Sequence, residues 1–402
     1  MPRSAHAAAT VAETHALLAP ARARLRARDH EIVRLQVELA EIPAPTGEEG
    51  ERGARVAQHL RTAGLTDVRV DRAGNVLGLR RGCGTGGAPV VVCAHLDTVF
   101  PRGTPLAVRR DGARLVGPGI GDNGRGLAVM LTLARELDGR HVRTRRPVLF
   151  AATTGEEGAG DLRGAKALFA DSAADAHAAI ILDGAGDERV VHCALGARRL
   201  RVTFAGPGGH SWAAHGVPNP VHAAGLATAR LTTIPLPAVP RTTLSVTRIG
   251  GGISVNAIPE EAWLEIDLRS TSATLLDRLS AEVALAVQAA MEEEDGRRAR
   301  GAPRLTLRIA RIGERPCGEV PPSHRLVQCA YEATRLVGRE PLGATASTDA
   351  NVPIGLGIPA VAIGAGGRGG AAHTLGEWYE NTDGAVGVAR ALTLITAAAG
   401  MG

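Results

Sequence analysis

Three short runs in the first half of the chain constrain the fold more than anything else in it. Pro89 to Cys93, Pro147 to Thr153 and Ala178 to Leu182 are apolar at nearly every position, with no polar alternation. A strand exposed on one face would alternate. Strands without alternation are covered on both faces, the condition of a mostly parallel sheet flanked by helices. Helical periodicity fills the intervals, at Gly124 to Leu137 and Ala165 to Ala170. Strands alternating with helices predict an α/β domain. Aromatic residues are only 2% of the chain, so its cores must be built from Ala, Val, Leu and Ile.

The pattern extends in both directions and is interrupted once. A helix is expected from Val11 to Leu39, stopped by the turn-rich Ile42 to Gly47, and a second from Glu48 to Ala63. Val68 to Val70 and Val76 to Leu79 read as a strand-turn-strand. Near Gly196 the character changes. Four strand-like runs follow (Arg199 to Phe204, Thr242 to Ile249, Ala262 to Asp267, Arg304 to Ile309), with helical patterns at Pro220 to Leu231 and Thr274 to Glu293. That is the make-up of a small α+β sandwich. The α/β pattern resumes with a helix from Ser323 to Val337 and a strand from Pro359 to Gly364. The expected organisation is therefore an α/β domain formed by residues 1–197 and 313–402, with an α+β domain inserted at 198–312.

Composition excludes several classes of function. The formal charge is +5, and the basic residues are almost all Arg, dispersed along the chain; Lys166 is the sole lysine. The short cluster Arg297, Arg298 and Arg300 reads as a solvated face. Two Tyr and four Phe leave little for base stacking, so no nucleic-acid partner is expected. Five cysteines without C-x-x-C spacing argue against a disulfide framework or a thiolate zinc site, and fit a reducing compartment. The Ala- and Arg-rich first thirty residues lack the apolar core of a signal peptide, and no run of eighteen apolar residues predicts a membrane span. A cytoplasmic location is expected.

Chemistry-bearing side chains gather where the predicted strands end, the edge at which open α/β sheets bind ligands. His95 and Asp97 follow the first run, Glu156 and Glu157 the second, Asp183 the third and His373 the last, while Asp122 sits in Gly119 to Asn123. Each has an ordinary explanation. H-x-D can be a surface pair, Glu-Glu can match a helix dipole, and Asp-Asn-Gly can be a turn. Together they offer imidazole and carboxylate donors for zinc, and two ions sharing a carboxylate need about seven ligand atoms.

The strings C-A-H-L-D-T-V, G-I-G-D-N-G-R-G, T-T-G-E-E-G-A-G and A-A-H-T-L-G-E-W resemble those of the co-catalytic zinc peptidases and deacylases. That family includes carboxypeptidase G, peptidase T, acetylornithine deacetylase and succinyl-diaminopimelate desuccinylase. The likeness runs from Ile42 to Asn381, and its endings S-T-D-A-N and H-T-L-G-E-W-Y look more like the peptidase T and carboxypeptidase G branch. It implies two Zn2+ per chain, with Co2+ or Mn2+ as substitutes. Asp122 would bridge them, His95 and Asp183 completing one site, Glu157 and His373 the other. Asp97 would orient the His95 imidazole. Glu156 would be the base that takes a proton from the bridging water and passes it to the leaving nitrogen, although it could instead be a further ligand.

The resemblance extends to the inserted domain, which it makes a lid and dimerisation domain. Gly206 to Ser211 looks like the glycine loop whose histidine, here His210, reaches a neighbouring active site and stabilises the oxyanion. Asn256 and Arg269 resemble contacts to the substrate carboxylate and oxyanion, the Arg through its planar fork, with a strand-edge salt bridge as the alternative. Ser347 and Thr348 look like a substrate-binding loop, and the glycines from Gly364 to Gly370 would let backbone approach the substrate. Three functions remain open at this point: a peptidase on small peptides, a deacylase of N-acyl amino acids, and a binding module without activity. No ligand or base is missing for the first two. A homodimer through the inserted domain is the expected assembly.

Overall fold

The computed structural model of the chain describes residues 2–138 and 141–402. The chain divides into two compact units, Met1–Ala194 with Glu319–Gly402, and Leu195–Gly318.

The first unit is built on a mixed sheet whose four central strands are parallel, in the order Val148–Thr153, Val90–His95, Ala178–Leu182, Ala360–Ile363. All of their residues are buried, as the unbroken apolar runs require. Antiparallel pairing begins at the flanks. Thr66–Val70 and Val76–Arg80 extend one side, and Arg189–Ala194 adds to the other, with Leu342–Ala346 parallel to it. The last two strands were not foreseen, since Arg189, Gly343 and Thr345 dilute their apolar signal.

The N-terminal helix expected from Val11 to Leu39 is three helices: Pro2–Leu17, Ala19–Ala27 and Asp29–Ala40. Pro20 has no N–H to continue the first helix and instead sits in the opening turn of the second. At Arg28 the backbone leaves helical geometry, and Asp29 and Glu31 then place negative charge in the first turn of the third. Also unforeseen are the buried C-terminal helix Gly384–Ala399 and a small antiparallel sheet. That sheet runs Arg368–Gly370, Trp378–Glu380, Arg114–Val116, Arg109–Asp111. Among the described residues no helix is long and apolar enough to cross a membrane.

The second unit is an antiparallel sheet in the order Thr243–Gly251, Glu261–Ser270, Gly196–Ala205, Thr306–Arg315. Glu261–Ser270 alternates strictly, burying Ala262, Leu264, Ile266, Leu268 and Ser270. A period of two puts these on one face. Helices Pro220–Leu231 and Ala273–Asp295 supply the other side of that core, the longer one through Leu276, Leu279, Val283, Val287 and Ala290. Asn219 and Ser272 cap these helices by accepting the N–H groups of Val221 and Leu275.

Candidate active site

The parallel strands deliver their C-terminal residues to one edge of the sheet. His95 is the last residue of its strand and is buried. Its Nδ1 lies 3.1 Å from the Asp97 carbonyl oxygen. A carbonyl only accepts, so Nδ1 carries the proton and Nε2 of the neutral ring presents a lone pair. That Nε2 faces Asp122 Oδ1 at 3.0 Å and Asp183 Oδ1 at 3.8 Å. The other Asp122 oxygen faces His373 Nε2 at 3.3 Å, and the same nitrogen lies 2.8 Å from Glu157 Oε1. Among the described residues, three groups have ligand atoms within 4.8 Å of one another: His95, Asp122 and Asp183; Asp122, Glu157 and His373; and His95, Glu156 and Glu157. Asp122 is shared by the first two, one oxygen turned to each histidine.

The loops that carry these groups are fixed from below. Asp97 is fully buried, and its carboxylate accepts the N–H of Glu156 and of Glu157 (3.0 Å each) and the hydroxyl of Thr46 (2.8 Å). Its nearest approach to the His95 ring is longer, 3.6 Å. Asp97 therefore holds the Glu156-Glu157 turn directly, a contact the sequence did not suggest. Glu49, also buried, accepts the Gly155 N–H at 3.0 Å and pairs with Arg163. Asn123 accepts from Gly184 and donates to the Leu182 carbonyl, tying the Asp122 loop to the strand that leads into Asp183. His373 sits at φ 65° in a turn, conformationally unusual for a residue with a Cβ.

Burial and charge oppose each other throughout the cluster. Burial alone would push His95 down, but Asp122, Asp183 and Asp97 reverse this and hold it well above the ordinary imidazole range. Burial would likewise raise Asp97, yet the His95 contact and the hydrogen bonds it accepts bring it to about 2. Asp122 is lowered in the same way by His373 and His95. Glu157 is raised, chiefly by burial. Without a metal the imidazoles take up protons and so balance the carboxylates around them; a divalent cation would supply that positive charge in their place. The donor set of neutral imidazole nitrogen and carboxylate oxygen fits zinc.

A cleft of about 1140 Å³ opens beside this cluster, lined by Asp122, Asp183, Thr348, Arg368 and Trp378 among others. Thr348 caps the following turn, its Oγ1 accepting the Ala350 N–H at 3.1 Å, and Ser347 precedes it half-buried. Gly364, Gly367, Gly369 and Gly370 of the glycine run line this cleft, and the run is also packed tightly against the rest of the chain. A Cβ on Gly364 would meet the Ala185 and Gly186 carbonyl oxygens at 2.5 Å, and one on Gly366 the Gly384 oxygen at 2.4 Å. These glycines admit close packing of the chain against itself.

In the second unit His210 and Asn256 are exposed. His210 lies on the two-residue strand Gly209–His210 opposite Ala257–Ile258, which brings it beside Asn256. The Asn256 carbonyl accepts the Ser211 N–H at 2.9 Å. His210 Nδ1 accepts the Trp212 N–H at 3.2 Å, so its Nε2 is the protonated nitrogen in the neutral ring. Arg269, half-buried, donates to Asp267 at 2.7 Å, which is the salt bridge weighed as the alternative.

Residues with structural weight that the sequence did not reveal are Glu49, Asn123 and Glu377. Glu377 accepts the N–H groups of Gly119, Gly121 and Asp122, each at 2.8 Å. Its partners lie more than 250 positions away, so no local spacing could have exposed it.

Comparison with known proteins bears on this geometry. The profile of "Peptidase family M20/M25/M40" matches residues 91–397. Carboxypeptidase G2 of Pseudomonas sp. (strain RS-16) is 29% identical over 195 residues, 46% of this chain and 46% of that protein. The alignment thus spans about half the length of that curated relative. Among solved structures, aminopeptidase PepT from Bacillus cereus superposes with a TM-score of 0.73 at 22% identity, covering 92% of this chain and 98% of that one. A tripeptidase from Staphylococcus aureus gives 0.74 at 20% identity, with coverage of 92% and 98%. At such identities the structural likeness is one of fold.

Proposed function

The chain belongs to peptidase family M20/M25/M40, and from that premise we propose that it hydrolyses the amide bond of small peptides with two zinc ions. The observation that carries this reading is the shared carboxylate of Asp122, one oxygen toward His95 and the other toward His373. His95, Asp122 and Asp183 would hold one ion, and Asp122, Glu157 and His373 the other. When bound, such ions polarise the scissile carbonyl and acidify a water.

The chain's own groups do the remaining work. Glu156 is buried at the cluster, its backbone N–H fixed by Asp97. Its carboxylate would accept the proton of the attacking water and return it to the leaving nitrogen. Arg269, Asn256, Ser347 and Thr348 would bind the substrate carboxylate and main chain. His210 would donate through Nε2 to the oxyanion. By resemblance, that contact is made by a neighbouring chain, in a homodimer formed through the second unit. A cytoplasmic location fits the cysteine usage.

The test is direct hydrolysis. The zinc-loaded protein should cleave a dipeptide faster than the corresponding N-acetyl amino acid, and a chelator should abolish both rates. A clear preference for the N-acetyl compound would make it a deacylase on the same scaffold.

A further inference from the structure

Glu377 is 2% exposed, and its partners are backbone amides. Oε2 accepts the Gly119 N–H, and Oε1 accepts those of Gly121 and Asp122, each at 2.8 Å. The backbone of the same residue adds two links. Its carbonyl accepts the Gly117 N–H at 2.9 Å, and its N–H donates to the Thr374 carbonyl at 3.1 Å, closing the turn that begins just after His373. One residue thus fastens the Asp122 loop to the His373 turn. Those two segments supply two of the three groups in the Asp122, Glu157 and His373 cluster. The neighbouring glycine is part of the arrangement, since a Cβ on Gly121 would lie 3.2 Å from Glu377 Oε1.

The chemistry of the contact is specific to a carboxylate. Three N–H groups converge on two oxygens, so both oxygens must accept. A glutamine could satisfy the pair at Gly121 and Asp122 with its oxygen, but its NH2 would then oppose the Gly119 N–H. An aspartate would be one methylene too short to span the same gap.

We propose that Glu377 is a positioning residue of the metal centre: it holds the Asp122 loop so that the two Asp122 oxygens face the two histidines. This rests on the two-metal reading given above. Removing an outer support of a metal ligand typically costs about 10–100-fold in metal affinity. The Asp122 side chain remains in Glu377 variants, so the loss should come from its placement.

The experiment compares Glu377→Gln and Glu377→Ala with the parent, and uses Glu380→Gln on the adjoining strand as control. Metal-free proteins are titrated with Co2+, amide hydrogen exchange is followed at Gly119, Gly121 and Asp122, and Tm is recorded. The expected result is faster exchange at those amides in Glu377→Gln, with Co2+ affinity at the weaker site lowered about 10–100-fold. Its Tm should stay near that of the parent, and Glu380→Gln should match the parent throughout. If Glu377→Ala does not fold, Glu377→Gln carries the test. Co2+ affinity within twofold of the parent despite faster exchange would overturn the proposal, leaving a local packing contact. A large fall in Tm with both sites lost together would also overturn it, as a purely structural role. A parent that takes up no Co2+ sinks the two-metal reading itself, and is told apart by the parent titration alone.

Discussion

The two units hold their candidate residues differently. In the first, His95, Asp97, Glu156 and Glu157 are buried, Asp122 and Asp183 half-buried and His373 exposed; Asp97 and Glu49 pin the Glu156-Glu157 turn, and Asn123 and Glu377 pin the Asp122 loop. In the second, His210 stands exposed on a two-stranded ribbon, Asn256 is exposed in the turn beside it, and Arg269 is half-buried against a single aspartate. Groups that must share a divalent cation need fixed distances, and buried carboxylates achieve that only with many donors around them. Groups that meet a substrate arriving from solvent can be held more loosely. Substitutions should therefore act on metal content and chemistry in the first unit, and on turnover or substrate affinity without metal loss in the second.

The largest effects should separate Glu156 from Glu157. Glu156→Ala is expected to lower kcat by about 10²–10⁴-fold with metal content intact, because a base moves the proton without holding the ion. Glu157→Ala should lose metal. Metal analysis alongside kinetics decides the matter, and the reverse pattern would exchange the two roles.

In the second unit, His210→Ala should lower kcat by about 10²–10³-fold while the metals remain. Mixing Glu156→Ala with His210→Ala protein, under conditions of subunit exchange, sharpens this. If the histidine serves a neighbouring chain, a mixed dimer carries one site with both groups, and activity returns. A mixture that stays inactive would remove the support for the dimer.

A smaller effect belongs to Arg269. Its loss as Arg269→Met should cost about 1.5–3 kcal/mol in kcat/KM, mostly through KM, by removing a charged hydrogen bond to the substrate. Unchanged kinetics would leave Arg269 as the Asp267 salt bridge alone.

The smallest expected effect is one of stability. Asp349 is buried, with Oδ1 lacking a hydrogen-bond partner, and burial raises its carboxyl from 3.8 to about 6. A raised acid binds its proton more tightly when folded. Its contribution is present below pH 3.8 and is lost as pH rises through 6. Asp349→Asn, neutral throughout, should gain on the parent in urea midpoints of the metal-free protein at about pH 8 but not at about pH 4. An equal difference at both values would contradict this reading of the buried acid.

Much of the catalytic unit was legible because its signals are local. Short, β-branched apolar runs such as Val90–Cys93 read as central strands, and the residues just after them inherit the sheet's edge. The strand-like run Ala262 to Asp267 likewise marked the second sheet, where the strand spans Glu261–Ser270. What stayed hidden depends on distant partners. Glu377 and Glu49 look like any surface glutamate until their backbone partners are seen. The small sheet containing Trp378–Glu380 forms from three-residue strands too short to carry a period. The glycines near Gly366 suggested backbone at the substrate, and Gly367, Gly369 and Gly370 do line the cleft, but the close packing that also requires glycine at 364 and 366 involves distant carbonyls.

The central claim, two cations held by five side chains around Asp122, is tested most directly by metal analysis of protein purified without chelator. The account predicts a ratio near two per chain, falling when Asp122 is replaced by Ala, with activity falling in parallel. A ratio near zero in fully active protein, unchanged by added zinc or cobalt, would contradict it.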